Sequence, residues 1–365
     1  MARRVFVAAG GGGDVIAATM LAARDLEDDS VVVATFSWDR LIVDPLPGPR
    51  SVDDFVDLAS PAAGVHRVMS STTCRPPAGS TLPRLAGSLP AQLFLLDAST
   101  GAVGLGRQIA DLANHVKADE LTVVDVGGDI VARGDEPGLR SPLADMLALA
   151  GCVHSGLPTA VVVCGPGLDG ELDEAEVIAR CSVLGARQRT ALTADQVERF
   201  RPILKWHRSE ATGLMILAVA GARGTVEVRD AGIVVPLTER STAVFALEAT
   251  RVAAGSLLFG PLATSRSLTE ANERLRRLRG STELDYERAK AARIMDDAVS
   301  GDSEAILVSV DRLTEQARER GVDYLTLRRL TELLGLRGTM VEQLSSLLQT
   351  RRSDRYNPPL WRVTQ

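Results

Sequence analysis

The hydrophobic positions of the first half of the chain include five short, continuous apolar runs rich in β-branched residues. They cover residues 4–9, 30–36, 91–97, 120–126 and 158–165. Runs that are apolar at every position are typical of strands buried on both faces of a sheet. Apolar residues recur at helical spacing over 14–26, 52–59, 104–115 and 142–151. This alternation predicts an α/β fold of three layers with a Rossmann-like, mostly parallel sheet.

The last third of the chain has a different pattern. Residues 224–249 are typical of strand pairs around a turn and predict an antiparallel extension of the sheet. Arginine-rich amphipathic helices are predicted over 267–280, 285–299, 303–321 and 324–336. We therefore predict an α/β ligand-binding core over residues 1–205. A sheet extension and a helical C-terminal part follow over 206–365, with a soft boundary between the two.

Composition narrows the function classes. The 365 residues carry a net charge of −6, which argues against nucleic acid as a partner, although residues 325–336 have some character of a helix-turn-helix. The four cysteines form no CxxC pair and the four histidines lie far apart, so we expect no zinc or disulfide scaffold and a cytoplasmic location. No apolar run fits a signal peptide or a membrane span, so no membrane partner is expected. A homo-oligomer is left open.

The first apolar run is followed by four consecutive glycines and an acid, Gly10, Gly11, Gly12, Gly13 and Asp14. Glycines allow close approach of a ligand to the backbone, and the next helix offers free N–H groups to an anion. The dinucleotide fingerprint GxGxxG/A fails in every register, and no P-loop lysine follows. We therefore expect a phosphate-like ligand but neither NAD nor FAD. The alternative is a tight turn in which Asp14 favours the helix dipole.

The second run is followed by a proline-rich loop, residues 37–51, which carries Trp38, Arg40 and Arg50. Loops of this length with many functional side chains often bind ligands. Each arginine could make forked contacts to a carboxylate or phosphate. The alternative is a stiff surface loop in which the arginines pair with Asp39 and Asp44.

The fourth run ends in a pair of carboxylates, Asp125 and Asp129, on either side of two glycines. Such a pair could hold Mg²⁺ or share a proton for acid–base chemistry. Capping explains the nearby Ser141, but neither Asp129 nor Glu136 lies where a cap is needed. We therefore expect Asp129 to be chemically engaged and Glu136 to contribute to the ligand site.

The fifth run is followed by Gly165, Gly167 and Asp169. Asp169 stands where a helix begins and is a third candidate for a catalytic carboxylate. The acids after it, at positions 171, 173 and 174, are explained by the helix dipole. Cys164 has no neighbouring histidine that would activate it, so an inert buried thiol is expected.

Five motifs in order carry a resemblance to a known family. They are GGGGD, WDRLIVDPLPGPRS, DVGGDIVARGDEPGLRSPLADMLALA, GPGLDGEL and TELDYERAKAA, which run from residue 10 to about residue 292. Together they resemble the family called domain of unknown function 1152, met in archaea and actinobacteria. The resemblance supports the fold and the choice of site loops, and it implies no particular reaction.

Two functions follow from these patterns. The first is an enzyme that acts on a phosphorylated or nucleotide-like small molecule by hydrolysis or group transfer. In it, glycines and arginines hold the anion, and Asp125, Asp129 and Asp169 bind Mg²⁺ or move protons. The metal ligands would be Asp125 and Asp129. The second is a non-catalytic metabolite sensor that reports to a partner through the C-terminal helices.

Overall fold

The computed structural model describes residues 3–25, 31–229, 231–294 and 302–364. The strands are β1 (Arg4–Ala8), β2 (Val32–Thr35), β3 (Phe55–Val56), β4 (Ala59–Ala62), β5 (Val65–Val68), β6 (Thr73–Cys74), β7 (Gln92–Leu95), β8 (Glu120–Val126), β9 (Thr159–Cys164), β10 (Arg187–Arg189), β11 (Gly224–Val228), β12 (Ile233–Leu237), β13 (Val244–Glu248), β14 (Tyr324–Thr326), β15 (Tyr356–Asn357) and β16 (Leu360–Arg362). The α-helices are α1 (Asp14–Asp25), α2 (Leu82–Ala86), α3 (Gly101–Val116), α4 (Pro142–His154), α5 (Glu174–Val183), α6 (Ala194–Glu198), α7 (Arg201–Leu204), α8 (Ala211–Val219), α9 (Ala249–Gly255), α10 (Phe259–Ala263), α11 (Leu268–Arg279), α12 (Glu283–Ile294), α13 (Ser303–Glu319), α14 (Leu327–Leu333) and α15 (Thr339–Arg351).

The main sheet has nine strands in the order β10-β13-β9-β8-β1-β2-β7-β5-β4. Its five central strands, β9, β8, β1, β2 and β7, are the five apolar runs, and each pairs in parallel with its neighbours among them. The outer strands pair antiparallel. The predicted α/β fold with a mostly parallel sheet is therefore confirmed.

Helices cover both faces of this sheet. In β1, Val5 and Val7 pack with α3, α4 and α11, whereas Phe6 and Ala8 pack with α1, α2 and α8. Successive strand residues point to opposite faces, so a strand that is apolar throughout supplies both layers of core. The three-layer arrangement brings the carboxyl ends of β1, β8 and β9 to one edge, where the loops at 10–14, 125–129 and 165–171 follow.

Two helix predictions are wrong in part. Residues 52–59 form a short 3-10 turn over Val52–Asp54, followed by β3 and the start of β4, because β4 pairs with β5 and Asp57 adopts a positive φ of 58°. Residues 324–336 begin as β14, which pairs with β11 and β16. The helix then starts at Leu327, where Thr326 caps it by accepting a hydrogen bond from Arg329 N at 3.0 Å. Tertiary pairing overrides the local pattern in both segments.

The segment 224–249 contributes strands to two sheets. Its hairpin, β11 and β12, belongs to a second sheet of order β12-β11-β14-β16-β15, while β13 extends the main sheet antiparallel to β9. The predicted ends at residues 26, 30 and 295–299 lie outside the described residues. Across the part of the chain that is described, no helix is both long enough and apolar enough to cross a membrane.

Candidate functional site

A cavity of about 120 Å³ lies at the carboxyl ends of β1 and β8. Its wall is built from loops far apart in the sequence. The residues at the wall that were predicted from sequence are Gly10, Gly11, Gly12, Gly13, Asp14, Trp38, Arg40, Asp125, Asp129 and Asp169. The expected crevice beyond the strand ends therefore brings together most of the candidate residues.

The glycine run makes the tight turn between β1 and α1. Gly11 and Gly12 have φ angles of 76° and 48°, a conformation that other residues rarely adopt. A Cβ atom at Gly13 would lie 1.9 Å from Ser209 Oγ, so no side chain fits there. Gly10 N donates a hydrogen bond to Asp14 Oδ2 at 2.9 Å. The run thus brings the backbone to the cavity wall and fixes one carboxylate there.

Three carboxylates from three elements form the first acidic group of the cavity. Asp14, Asp125 and Asp145 come from α1, β8 and α4, and one oxygen of each lies within 4.8 Å of the others. Asp125 Oδ2 accepts a hydrogen bond from Ile130 N at 3.3 Å. Asp145 is only 2% exposed, and its Oδ1 has no hydrogen-bond partner among the described residues. We call this atom the open oxygen of Asp145.

A second acidic group consists of Asp129, Asp169 and Glu171, again with oxygens within 4.8 Å of one another. Glu171 is fully committed, because it accepts hydrogen bonds from Arg140 N, Ser141 N and Ser141 Oγ and pairs with Arg229 at 2.9 Å. Asp169 Oδ1 accepts from Glu171 N at 2.9 Å, whereas its Oδ2 has no partner within the described parts of the chain. Asp129 and Asp169 therefore retain oxygen atoms for a ligand.

Burial and mutual repulsion shift the acidity of these groups. Burial, reinforced by neighbouring carboxylates, raises the pKa of Asp125, Asp129 and Asp145 well above the usual range. Burial also raises the pKa of Asp14 and of Asp169 to about 7, against the lowering effects of the Gly10 amide and of Arg229 respectively. In the absence of a cation, the site therefore retains protons at neutral pH.

These shifts predict a pH dependence for the metal-free protein. Asp14 and Asp169 have a folded pKa of about 7 against an ordinary value of 3.8, so the folded state binds more protons than the unfolded state between those values. The stability that this provides is present below about pH 4 and is lost as the pH rises through about 7. We expect the Tm in EDTA to fall between about pH 5 and pH 8. A Tm that rises across this window would contradict the shifts.

The cavity wall also carries nitrogen donors. His207 Nδ1 accepts a hydrogen bond from Ser209 N at 3.2 Å, which assigns the ring proton to Nε2, and burial lowers the pKa of this histidine to about 3. Arg208 Nη2 contacts Glu342 at 2.8 Å. Within the described residues, neither His207 Nε2 nor Arg208 Nη1 has a hydrogen-bond partner. Both atoms are buried donors on residues that line the same cavity as the carboxylates.

Several candidate residues lie apart from this cavity. Arg50 pairs with Asp44 at 2.9 Å and donates to three carbonyls of its own loop, as the local alternative suggested. Glu136 accepts hydrogen bonds from Arg133 N and Gly134 N within its own turn. Gly165 and Gly167 form the turn after β9, with φ angles of 60° and 76°, and do not reach the cavity wall. These four residues therefore contact their own loops and turns around the site and do not line the cavity.

Trp38 and Arg40 lie at the mouth of the cavity. Trp38 Nε1 donates to Glu287 Oε2 at 3.1 Å, which ties this loop to α12. Arg40 keeps 44% of its side chain exposed, and its nearest acidic oxygen, on Glu287, is 3.9 Å away. Of the two, Arg40 is the one available to a ligand.

The sequence analysis did not select several residues of the cavity wall as site residues. They are Asp145, Glu171, His207, Arg208, Glu210, Arg229, Glu283 and Arg328. One signal was present for Asp145, since it is a single charge inside an otherwise apolar helix whose other residues from 142 to 152 are buried. A second signal was the polar run 207–210 directly before α8, in which Thr212 is the one polar residue. The dipole of the next helix does not explain Glu171, because that helix begins at Glu174, and Glu171 instead binds the start of α4 and Arg229. The other residues reach the cavity by long-range packing.

Comparison with known proteins bears on the family alone. No match was found among curated proteins or among solved structures. The family model described as "Protein of unknown function (DUF1152)" matches residues 5–291, which include both acidic groups and the glycine run. The predicted resemblance is confirmed, and the chain belongs to the DUF1152 family.

Proposed function

We propose that the chain is an enzyme that acts on a phosphorylated or nucleotide-like small molecule, by hydrolysis or group transfer assisted by a divalent cation. The observation that carries this proposal is the open oxygen of Asp145. A buried carboxylate oxygen is costly unless a proton, a hydrogen-bond donor or a cation compensates it. Two more carboxylates within 4.8 Å make a cation the fitting compensation.

The first acidic group suits Mg²⁺. Asp14, Asp125 and Asp145 offer hard oxygen ligands from three rigid elements, and Mg²⁺ prefers such ligands with its remaining positions left to water or phosphate. Mg²⁺ bound there would polarise a phosphoryl oxygen of the substrate. Of the two metal ligands predicted from sequence, Asp125 belongs to this group, and Asp129 lies in the other one.

The nitrogen donors suit an anion. His207 Nε2 and Arg208 Nη1 are buried donors, and Arg40 adds a positive charge at the mouth. The cavity of about 120 Å³ has room for a phosphate-sized group and a hydrated cation. The rest of a nucleotide-like molecule would extend past Arg40. Charge of both signs resolves the repulsion that carboxylates alone would exert on phosphate.

The second acidic group supplies proton chemistry in this proposal. Burial and neighbouring charges keep the pKa of Asp129 raised, and that of Asp169 near 7. A carboxylate with a pKa near 7 accepts a proton at neutral pH, whereas one with a pKa raised well above the usual range holds a proton that it can donate. Asp169 would therefore take the proton of the attacking water or hydroxyl group, and Asp129 would deliver its own proton to the leaving oxygen.

The proposal is tested by comparing Mg²⁺ binding of the wild type with that of a variant that lacks the carboxylate of Asp145. We expect isothermal titration at pH 8 to show Mg²⁺ binding, and Asp145→Asn to weaken it at least tenfold, because one anionic ligand is lost. The variant's Tm in EDTA should equal or exceed that of the wild type, because a repelling buried carboxylate is removed.

Asp111 on α3 offers a matched control, since it is exposed and belongs to neither acidic group. Asp111→Asn should bind Mg²⁺ like the wild type. Equal Mg²⁺ affinity in the wild type and Asp145→Asn would refute the cation site, and so would a large loss of Tm in Asp145→Asn without metal.

One observation favours a metabolite sensor as a second candidate. Arg328 on α14 lines the cavity although it lies outside the family match, and it pairs with Glu210 at 2.9 Å. A ligand in the cavity would therefore contact the C-terminal part directly. Turnover of a bound metabolite separates the two functions, since a sensor binds without converting its ligand.

A further inference from the structure

The C-terminal segment that follows the family match forms a unit with its own core. Its elements occur in the order α13, β14, α14, α15, β15 and β16. Fifteen buried residues between Ile306 and Val363 pack into one hydrophobic cluster, with Trp361 fully buried among them. Its three strands lie side by side as β14-β16-β15, and both pairs are antiparallel.

This order is the topology of a winged helix. The helix pair α14 and α15 is joined by a short turn in which Gly335 and Gly338 have positive φ angles of 66° and 53°, as in a helix-turn-helix. The hairpin of β15 and β16 directly after α15 occupies the position of the wing, which is the β-hairpin that follows the helix pair in a winged helix. In such units the second helix of the pair enters the major groove of DNA.

The outward face of α15 has the chemistry of a groove-reading surface. Leu344 and Leu348 belong to the unit's own core, and Val341 is also buried. On the opposite side, at helical spacing, Thr339, Ser346 and Thr350 are exposed. Their hydroxyl groups can donate to and accept from base edges. The acid of this helix, Glu342, lies on the same exposed side, three residues after Thr339 and four before Ser346, and Arg208 neutralises it at 2.8 Å.

Positive charge flanks this face. Arg351 at the end of α15 and Arg362 on the wing strand are exposed, and Arg337 lies in the turn before α15 with 30% of its side chain exposed. Arg352 is held by Asp311 at 3.3 Å, and one exposed acid, Asp354, lies in the turn before the wing. Arg337 contacts Glu332 at 3.9 Å and Glu342 is neutralised by Arg208, so Arg351 and Arg362 against Asp354 leave a positive balance that complements a phosphate backbone.

The net charge of −6 understates the positive character of this surface. Nine carboxylates of the chain lie in the cavity wall and are Asp14, Asp39, Asp125, Asp129, Asp145, Asp169, Glu171, Glu210 and Glu283. Charges inside a cavity and compensated there contribute little at a surface elsewhere. The charge argument against nucleic acid therefore applies to the average of the chain and not to this unit.

We propose that residues 303–363 form a winged-helix unit that binds duplex DNA, with α15 in the major groove and Arg351 and Arg362 on the phosphate backbone. The unit contacts the rest of the chain through the pairing of β14 with β11 and through side chains on α14, α15 and β15. These include Arg328 with Glu210, Glu342 with Arg208 and Asn357 with Arg201. Beside these contacts, Thr339, Ser346 and Thr350 remain exposed. The inference does not depend on the proposed enzymatic activity.

Fluorescence anisotropy of the full chain with a labelled random-sequence duplex tests this inference. We expect binding at about 50 mM salt that weakens steeply as salt rises. The double variant Arg351→Ala/Arg362→Ala should bind at least tenfold more weakly, and the slope of log K against log salt should fall by about two. Arg107→Ala on α3 removes an exposed arginine elsewhere and should have no effect.

A second variant tests the face of α15 directly. Ser346→Asp places a negative charge on the exposed face without touching the core, so we expect at least a tenfold loss of DNA affinity with an unchanged Tm. Ser182→Asp on α5 is the matched control, because Ser182 is also an exposed helical serine. No binding at low salt, equal losses in Ser346→Asp and its control, or a preference for single-stranded RNA would each overturn the proposal. So would a dimer of the chain that Ser346→Asp dissociates in place of DNA binding.

Discussion

Replacing Asp129 with Asn is expected to lower turnover by about 10²–10⁴-fold while leaving Mg²⁺ affinity and Tm nearly unchanged. Asn keeps the size of the side chain and removes its ability to carry and deliver a proton. Asp129 lies outside the Asp14, Asp125 and Asp145 group, so cation binding should survive. Its carboxylate is 6% exposed with a raised pKa, so the neutral amide should not destabilise the fold.

The measurement needs a substrate, which a thermal-stabilisation screen with nucleotides, sugar phosphates and acyl phosphates in Mg²⁺ would supply. Steady-state rates of the wild type and the variant are then compared with that compound. Asp135→Asn is the matched control, because Asp135 sits in the same loop region with 56% of its side chain exposed. An unchanged rate in Asp129→Asn would remove this residue from the chemistry.

The sheet could be predicted because its signal is local. Each of the central strands contains consecutive apolar residues, and only a strand covered on both faces needs apolar side chains at neighbouring positions. The segment 52–59 failed for the opposite reason, since β4 forms by pairing with β5 and includes Ser60 and Pro61, which favour no regular element. The winged-helix strand β14 is three residues long and was hidden inside a helical pattern.

The candidate site was predictable where it follows the strand ends. Reading the residues after β1 and β8 found Asp14, Asp125 and Asp129, because parallel strands bring their carboxyl ends to one edge. The same rule could not find the donors His207 and Arg208, which reach the cavity from the segment between α7 and α8. Their position depends on how helices pack across the sheet, and no periodicity in the sequence encodes it.

Arg50 shows the limit of reasoning from residue type. An arginine in a loop near a strand end has the chemistry to bind phosphate, yet its guanidinium is used up by Asp44 and by the carbonyls of Leu46, Pro47 and Gly48. The alternative of a local ion pair describes it better. Arg229 shows the opposite error, because no motif in the sequence marks it as a site residue. It directly follows β11, lines the cavity and pairs there with Glu171.

Replacing Arg229 with Met should cost about 3–5 kcal/mol of unfolding free energy, because it leaves Glu171 buried without its partner. Their side chains are 12% and 0% exposed, and the pair distance is 2.9 Å. Burial alone would raise the pKa of Glu171, but Arg229 and the hydrogen bonds from Ser141 and Arg140 outweigh it and lower the pKa from 4.5 to about 2. Urea unfolding at pH 7 measures the loss.

The sign of the pH dependence makes this prediction specific. With its pKa lowered, Glu171 contributes stability that is present above about pH 4.5 and is lost as the pH falls towards 2. Without Arg229 the pKa of Glu171 should rise above 4.5, so the destabilisation should be larger at pH 7 than at pH 5.

Adding Glu171→Gln should recover part of the loss, because Gln still accepts from Ser141 N and carries no charge. The exposed pair of Arg133 and Asp135 is the control, and Arg133→Met should cost less than about 1 kcal/mol. A double variant no more stable than Arg229→Met alone would show that the uncompensated charge of Glu171 is not the cause.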